Sequence, residues 1–205
     1  MCQDSELILS LRSITKIIRY FNSEHFCSVL SSLFEIPDLK SDINLAGGGL
    51  HMIGQGGFLK VHADFNQADS MPGYHRRLNL ILYLSDDWKT DYNGNLELWD
   101  TNLTSPQVEI EPIKNRLICF NTQPDGDVIA YHGHPKPLQV PSGVYRKSIA
   151  LYYYTKEKPN NVSGLVVKHF IFFTGKSPSI LKSTSQPNDL PIQFFCIVFT
   201  LLGHS

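Results

Sequence analysis

The run Leu78-Asn79-Leu80-Ile81-Leu82-Tyr83-Leu84 is the tightest constraint on how this chain folds. Its leucines fall at every second position, and in a strand such residues share one face. Leu78, Leu80, Leu82 and Leu84 then look into a dry core, while Asn79, Ile81 and Tyr83 look the other way. That second face, with two polar groups on it, suits the wall of a pocket. The surroundings agree. From Pro37 to Thr155 short apolar runs are broken by Gly, Pro, Asn and Asp, which is the texture of a β sandwich or barrel. The pattern predicts strands over 58–65, 78–84, 96–99, 116–120, 128–132 and 146–155. Asn93-Gly94 and Pro124-Asp125-Gly126 supply turn chemistry between them.

The first 36 residues have a different period. Leu7, Leu11, Ile14, Ile18 and Phe21 recur at spacings of three and four, which predicts a helix with one apolar face. Asn22 interrupts it, and Ser23 is the expected N-cap of a second helix. That helix should bury Phe26, Val29, Leu30, Leu33 and Phe34 and stop before Pro37. Past Thr155, residues 156–161 read as an exit loop, and 165–174 and the apolar tail 194–202 as β or extended. No linker divides residues 1–155. The expected organisation is helices over 1–44, a β core over 45–155 and a tail over 156–205.

Composition removes several function classes. With 18 Lys+Arg against 19 Asp+Glu the 205-residue chain has a net charge of −1 and no basic cluster, which argues against nucleic-acid binding. Cys2, Cys27, Cys119 and Cys196 form no CxxC pair, so neither a zinc ribbon nor a disulfide frame is expected. The acidic start Met1-Cys-Gln-Asp-Ser-Glu6 lacks the layout of a signal peptide, and the apolar tail is shorter than the ~20 residues of a membrane span. A reducing, cytoplasmic setting without a membrane span is the expectation. Gly54-Gln55-Gly56-Gly57 lacks phosphate-loop spacing, and no GxSxG elbow is present.

The histidines carry the chemistry. His62 and Asp64 stand two apart in an expected strand, so an imidazole and a carboxylate can meet one metal ion. The pair offers two ligands, and Tyr131-His132-Gly133-His134 offers the third from His132 or His134. Two imidazoles and one carboxylate make the facial triad of a ferrous site, which leaves positions open for other ligands. Arg146, Ser148 and Ala150 share a strand face, and an arginine fork pairs with a carboxylate such as the far end of 2-oxoglutarate. Tyr83 can donate its hydroxyl to the same bound acid. Lys147 is a weaker rival to Arg146 because it points to the opposite face.

Six ordered blocks then resemble the prolyl 4-hydroxylase-type branch of the Fe(II)/2-oxoglutarate dioxygenases. They are Gly-Gly-Gly-Leu-His-Met-Ile (47–53), Gly-Phe-Leu-Lys-Val-His-Ala-Asp-Phe-Asn (57–66), Arg-Arg-Leu-Asn-Leu-Ile-Leu-Tyr-Leu (76–84), Gly-Asn-Leu-Glu-Leu-Trp-Asp (94–100), Tyr-His-Gly-His-Pro (131–135) and Arg-Lys-Ser-Ile-Ala-Leu-Tyr-Tyr-Tyr-Thr (146–155). The resemblance implies a mainly β protein with N-terminal helices and a double-stranded β-helix core, a cupin-like jelly roll. It implies Fe(II) on His62, Asp64 and a distal histidine, with 2-oxoglutarate held by Arg146. His132 is the expected distal ligand, since it closes a strand while His134 sits between Gly133 and Pro135 in a loop. The implied reaction hydroxylates an unactivated C–H bond with O2 while 2-oxoglutarate is decarboxylated to succinate and CO2, with ascorbate as accessory reductant. A peptidyl prolyl residue is the substrate class suggested. A free amino acid, another protein side chain or a saccharide fits the same ligands. The competing readings are a noncatalytic jelly-roll metal-binding or interaction module and a metal enzyme of another class on a cupin-like barrel.

Overall fold

The computed structural model describes residues 2–64, 70–122, 130–156, 170–174, 177–181 and 196–200. Two helices lead the chain, α1 (Cys2–Phe21) and α2 (Glu24–Phe34). Ser23 caps α2 as expected: its backbone is extended and its hydroxyl accepts from the Phe26 N–H at 3.2 Å. Glu35 ends the helix with a left-handed φ of 54°, ahead of Pro37. The buried stripe of α2 is Phe26, Cys27, Leu30 and Phe34, whereas Val29 and Leu33 are exposed. The packed arc is therefore turned toward Cys27, away from the side that the apolar spacing suggested.

Among the described residues twelve strands follow: β1 (Lys40–Ser41), β2 (Gly49–Ile53), β3 (Leu59–His62), β4 (His75–Tyr83), β5 (Leu96–Trp99), β6 (Pro106–Ile110), β7 (Arg116–Asn121), β8 (Tyr131–His134), β9 (Arg146–Thr155), β10 (Phe170–Thr174), β11 (Ser177–Leu181) and β12 (Cys196–Thr200). The large sheet has the order β1-β9-β4-β7-β12-β10-β11, with β2 also paired to β9, and the small sheet runs β3-β8-β5-β6. The chain passes back and forth between them, with β4, β7 and β9 in one sheet and β5, β6 and β8 in the other. That alternation makes a jelly roll.

Two apolar layers hold it. Leu78, Leu80 and Leu82 join Ile149, Leu151 and Tyr153 beneath Phe21, Phe26, Leu30 and Phe34 of the helices. Each such fully buried side chain is worth about 1.5–3 kcal/mol. Between the sheets, Tyr83, Leu96, Leu98, Ile110, Ile118, Phe120 and Ala130 form the second layer. The alternation in β4 thus works as the sequence predicts, with leucines toward the helices and Asn79, Ile81 and Tyr83 toward the small sheet.

Two features depart from the predicted strands. A bulge shifts β4 against β9, so that Arg76 faces Tyr154 but Leu78 faces Tyr153. Arg76 is thereby turned to the face opposite the leucines. His134 lies in β8 and not in a loop. The strands described in the tail join the large sheet, in keeping with the expected β character: β12 pairs antiparallel with β7, from Cys196 opposite Phe120 to Thr200 opposite Arg116. The side chains of Leu7 and Leu11, the exit loop beyond residue 156 and the turn at 124–126 fall outside the described residues. No described helix is long and apolar enough to cross a membrane.

Candidate active site

The small sheet brings the two histidines together. His62, the last residue of β3, stands directly opposite His132 of β8 in the antiparallel register. Their rings are 4.6 Å apart between centroids. Asp64 follows just beyond the end of β3, and its carboxylate lies 3.8 Å from His62 Nε2 and 3.5 Å from His132 Nε2. One ligand atom from each of the three falls within 4.8 Å of the others. That spacing allows a single divalent ion to be held by all three.

The backbone also fixes which nitrogen is available. His62 Nδ1 lies 2.9 Å from the Lys60 carbonyl and His132 Nδ1 lies 3.1 Å from the Ala130 carbonyl. A carbonyl accepts, so Nδ1 carries the proton in each ring and Nε2 keeps its lone pair toward Asp64. Burial pushes the His132 pKa down, against the pull of Asp64, so the ring is neutral. Two imidazoles and a carboxylate are a donor set that suits Fe(II).

Asp64 is held from the large sheet. Arg76 donates to its Oδ1 at 2.9 Å and Asn79 to its Oδ2 at 2.5 Å. Arg76 is 7% exposed and stacks its guanidinium 3.8 Å above the Tyr152 ring. Sequence alternation assigned Arg76 no role. Continued down β4 from Leu78, it places the arginine among the helices, and only the bulge turns it to the site.

Arg146 starts β9 on the same inner face and is buried. Its Nε donates to the Gly94 carbonyl at 2.8 Å, and its Nη2 donates to the Tyr83 hydroxyl at 3.0 Å. Tyr83 therefore meets the expected acid-binding arginine and helps aim it. Lys147 points outward and is exposed, as its place in the strand predicts.

His134 is set apart from the metal group. It is 3% exposed, and neither ring nitrogen has a hydrogen-bond partner among the described residues. Burial first, and the Arg146 charge second, lower its pKa to about 4. Gly133, between the two histidines, is a matter of space. A Cβ there would stand 2.8 Å from the Leu59 carbonyl oxygen and 2.9 Å from that of Lys60.

The 2OG-Fe(II) oxygenase superfamily model matches residues 48–154, just over half of the chain. Among solved structures, a Pseudomonas putida prolyl-4-hydroxylase is similar at 19% identity and a TM-score of 0.37, over 53% of this chain and 51% of that one. A prolyl 4-hydroxylase from Phytophthora capsici is similar at 21% identity and a TM-score of 0.44, over 67% and 41%. The chain thus spans about half the length of the first and two fifths of the second. No curated protein sequence matches it significantly. Fe(II), 2-oxoglutarate and O2 are the requirements of the matched family, and the His-Asp-His group fits the metal among them. The matched stretch contains His62, Asp64, Tyr83, His132 and Arg146, and the chain belongs to the 2OG-Fe(II) oxygenase superfamily.

Proposed function

We propose that this protein is a hydroxylase that uses His62, Asp64 and His132 to bind Fe(II) and Arg146 with Tyr83 to bind 2-oxoglutarate. Fe(II) held there would supply the oxidising chemistry, in which one oxygen atom of O2 enters a C–H bond and the other enters 2-oxoglutarate as it loses CO2 and becomes succinate. The chain's own work is placement. Lys60 and Ala130 lock the histidine tautomers, and Arg76 and Asn79 hold the carboxylate. Gly94 and Tyr83 aim the Arg146 fork. The observation that carries the reading is the across-strand pair His62–His132 closing on Asp64, with a buried arginine on the facing sheet.

Residues 45–155 form the proposed catalytic core, with 1–44 as its helical layer and 156–205 as a divergent tail. On the strength of the six sequence blocks, the proposed substrate is a peptidyl prolyl residue. Cys27 and Cys119 are buried and neither is in a disulfide, which supports a reducing, cytoplasmic setting.

The test is anaerobic addition of Fe(II) and 2-oxoglutarate to the purified chain. A visible charge-transfer band is expected, and succinate on admitting air with a prolyl peptide. His62→Ala should abolish both, while Arg146→Ala should keep the metal and raise the 2-oxoglutarate requirement. Unchanged metal content in His62→Ala, with no band in the parent protein, would overturn the assignment.

A further inference from the structure

His134 is a buried imidazole whose ring nitrogens meet no hydrogen-bond partner among the described residues. Such a ring is costly, because a neutral imidazole carries one N–H donor and one acceptor, and a buried polar atom left unmet loses its hydration without recompense. It does not belong to the metal group of His62, Asp64 and His132. Its position along β8 shows what it is near. His132 stands opposite Leu98 in β5, and Gly133 opposite Glu97. The step from His132 to His134 therefore runs toward the Leu96 end of β5. Just before Leu96 lies Gly94, whose carbonyl anchors Arg146. His132 and His134 share the inner face, about 7 Å apart along the strand. The imidazole thus stands between the triad and the guanidinium.

We propose that His134 is a second donor to the far carboxylate of 2-oxoglutarate, working beside Arg146, and that it makes the pocket select a dicarboxylate. This rests on the assignment of Arg146 to the cosubstrate made above. A five-carbon diacid chelated at the triad runs along the β8 inner face before its far carboxylate reaches Arg146. The N–H of His134 then meets an anionic oxygen, which satisfies the ring's donor. A second donor beside the guanidinium also narrows the orientations open to the carboxylate.

The experiment measures anaerobic binding of 2-oxoglutarate to the Fe(II)-loaded full chain through the charge-transfer band. His134→Val should raise the 2-oxoglutarate Kd roughly ten- to hundredfold. His134→Gln, which restores an N–H donor, should recover most of it. Fe(II) or Co(II) affinity should stay within about twofold of the parent protein. Pyruvate, which chelates but has no far carboxylate, should bind the parent and His134→Val alike. Equal weakening of pyruvate and 2-oxoglutarate would overturn the proposal, because the ring would then only shape the cavity. Loss of metal in both variants would overturn it too, by making His134 a ligand. A parent protein that shows no band would instead sink the underlying assignment of function.

Discussion

Arg76 and Asp64 form a 2.9 Å ion pair because a bulge in β4 rolls the arginine off the leucine face and onto the site. The pair is nearly dry, with side-chain exposures of 9% and 13%. Removing one partner of such a pair leaves an uncompensated charge, at a typical cost of about 3–5 kcal/mol. Arg76→Met should therefore destabilise the metal-free protein by about that amount. A divalent ion restores a positive neighbour to Asp64, so thermal melts should show a smaller deficit with Mn(II) or Co(II) than without. Metal affinity should fall about ten- to hundredfold, since the arginine no longer orients the carboxylate.

Gly133→Ala should weaken metal binding without touching a ligand. The new Cβ collides with the Leu59 and Lys60 carbonyl oxygens, and the second of these accepts from His62 Nδ1. Relief requires β3 to move away from β8, which costs about 1–3 kcal/mol as overpacking. Isothermal titration with Co(II) should show at least a tenfold loss. An unaltered affinity would mean that β3 accommodates the methyl without moving His62.

Tyr83→Phe should act on the cosubstrate alone. It removes the hydroxyl that accepts from Arg146 but leaves the Gly94 contact. The loss of one hydrogen bond to a charged group, about 1.5 kcal/mol, predicts a 2-oxoglutarate Kd about tenfold higher. Fe(II) affinity should not change, and a titration of each component in turn separates the two.

Stability of the metal-free protein should fall with pH in a defined window. His134 stays neutral down to about pH 4 when folded, while an unfolded histidine titrates near 6.5. Between these values the unfolded chain binds more protons, so stability declines as pH drops and is flat above the window. Burial of His132 adds in the same direction. His134 alone accounts for about 3 kcal/mol by pH 4. Denaturant melts of His134→Val should show a shallower decline than the parent chain.

Deleting the chain from residue 191 onward should damage solubility more than its distance from the triad suggests. Loss of β12 leaves β7 as an open edge beside the buried Ile118 and Phe120. Unpaired edges template association. Gel filtration should show aggregates in the truncated protein and none in the parent.

Much of this site was readable where one residue spacing maps onto one face. The leucines of β4, the His62–Asp64 step, the tyrosine at 83 and the arginine at 146 all follow a period of two. The exceptions have local causes. Arg76 escaped because a bulge breaks the period at one residue. His134 was misplaced because Gly133 and Pro135 look like loop chemistry. Here the glycine is what lets the β3 backbone approach within the strand. β6 escaped because it begins at a proline and alternates exposed polar residues, as an edge strand does. The resemblance to the oxygenase superfamily was legible throughout the core, whereas the pairing of β12 with β7 joins segments far apart in sequence.

β3 is a short strand at the margin of the small sheet, paired to β8 at Leu59–His134 and His62–His132 with an irregularity between. So few rungs make it the part of the sheet that opens most easily. An ion shared by His62 and His132 would tie the two strands together at one of these rungs. The metal would then act as a removable clasp: each tenfold excess of free ion over its Kd adds about 1.4 kcal/mol against opening. Amide hydrogen exchange in 59–62 should therefore slow in proportion to metal concentration, while β4 and β9, deep in the large sheet, keep their own pace.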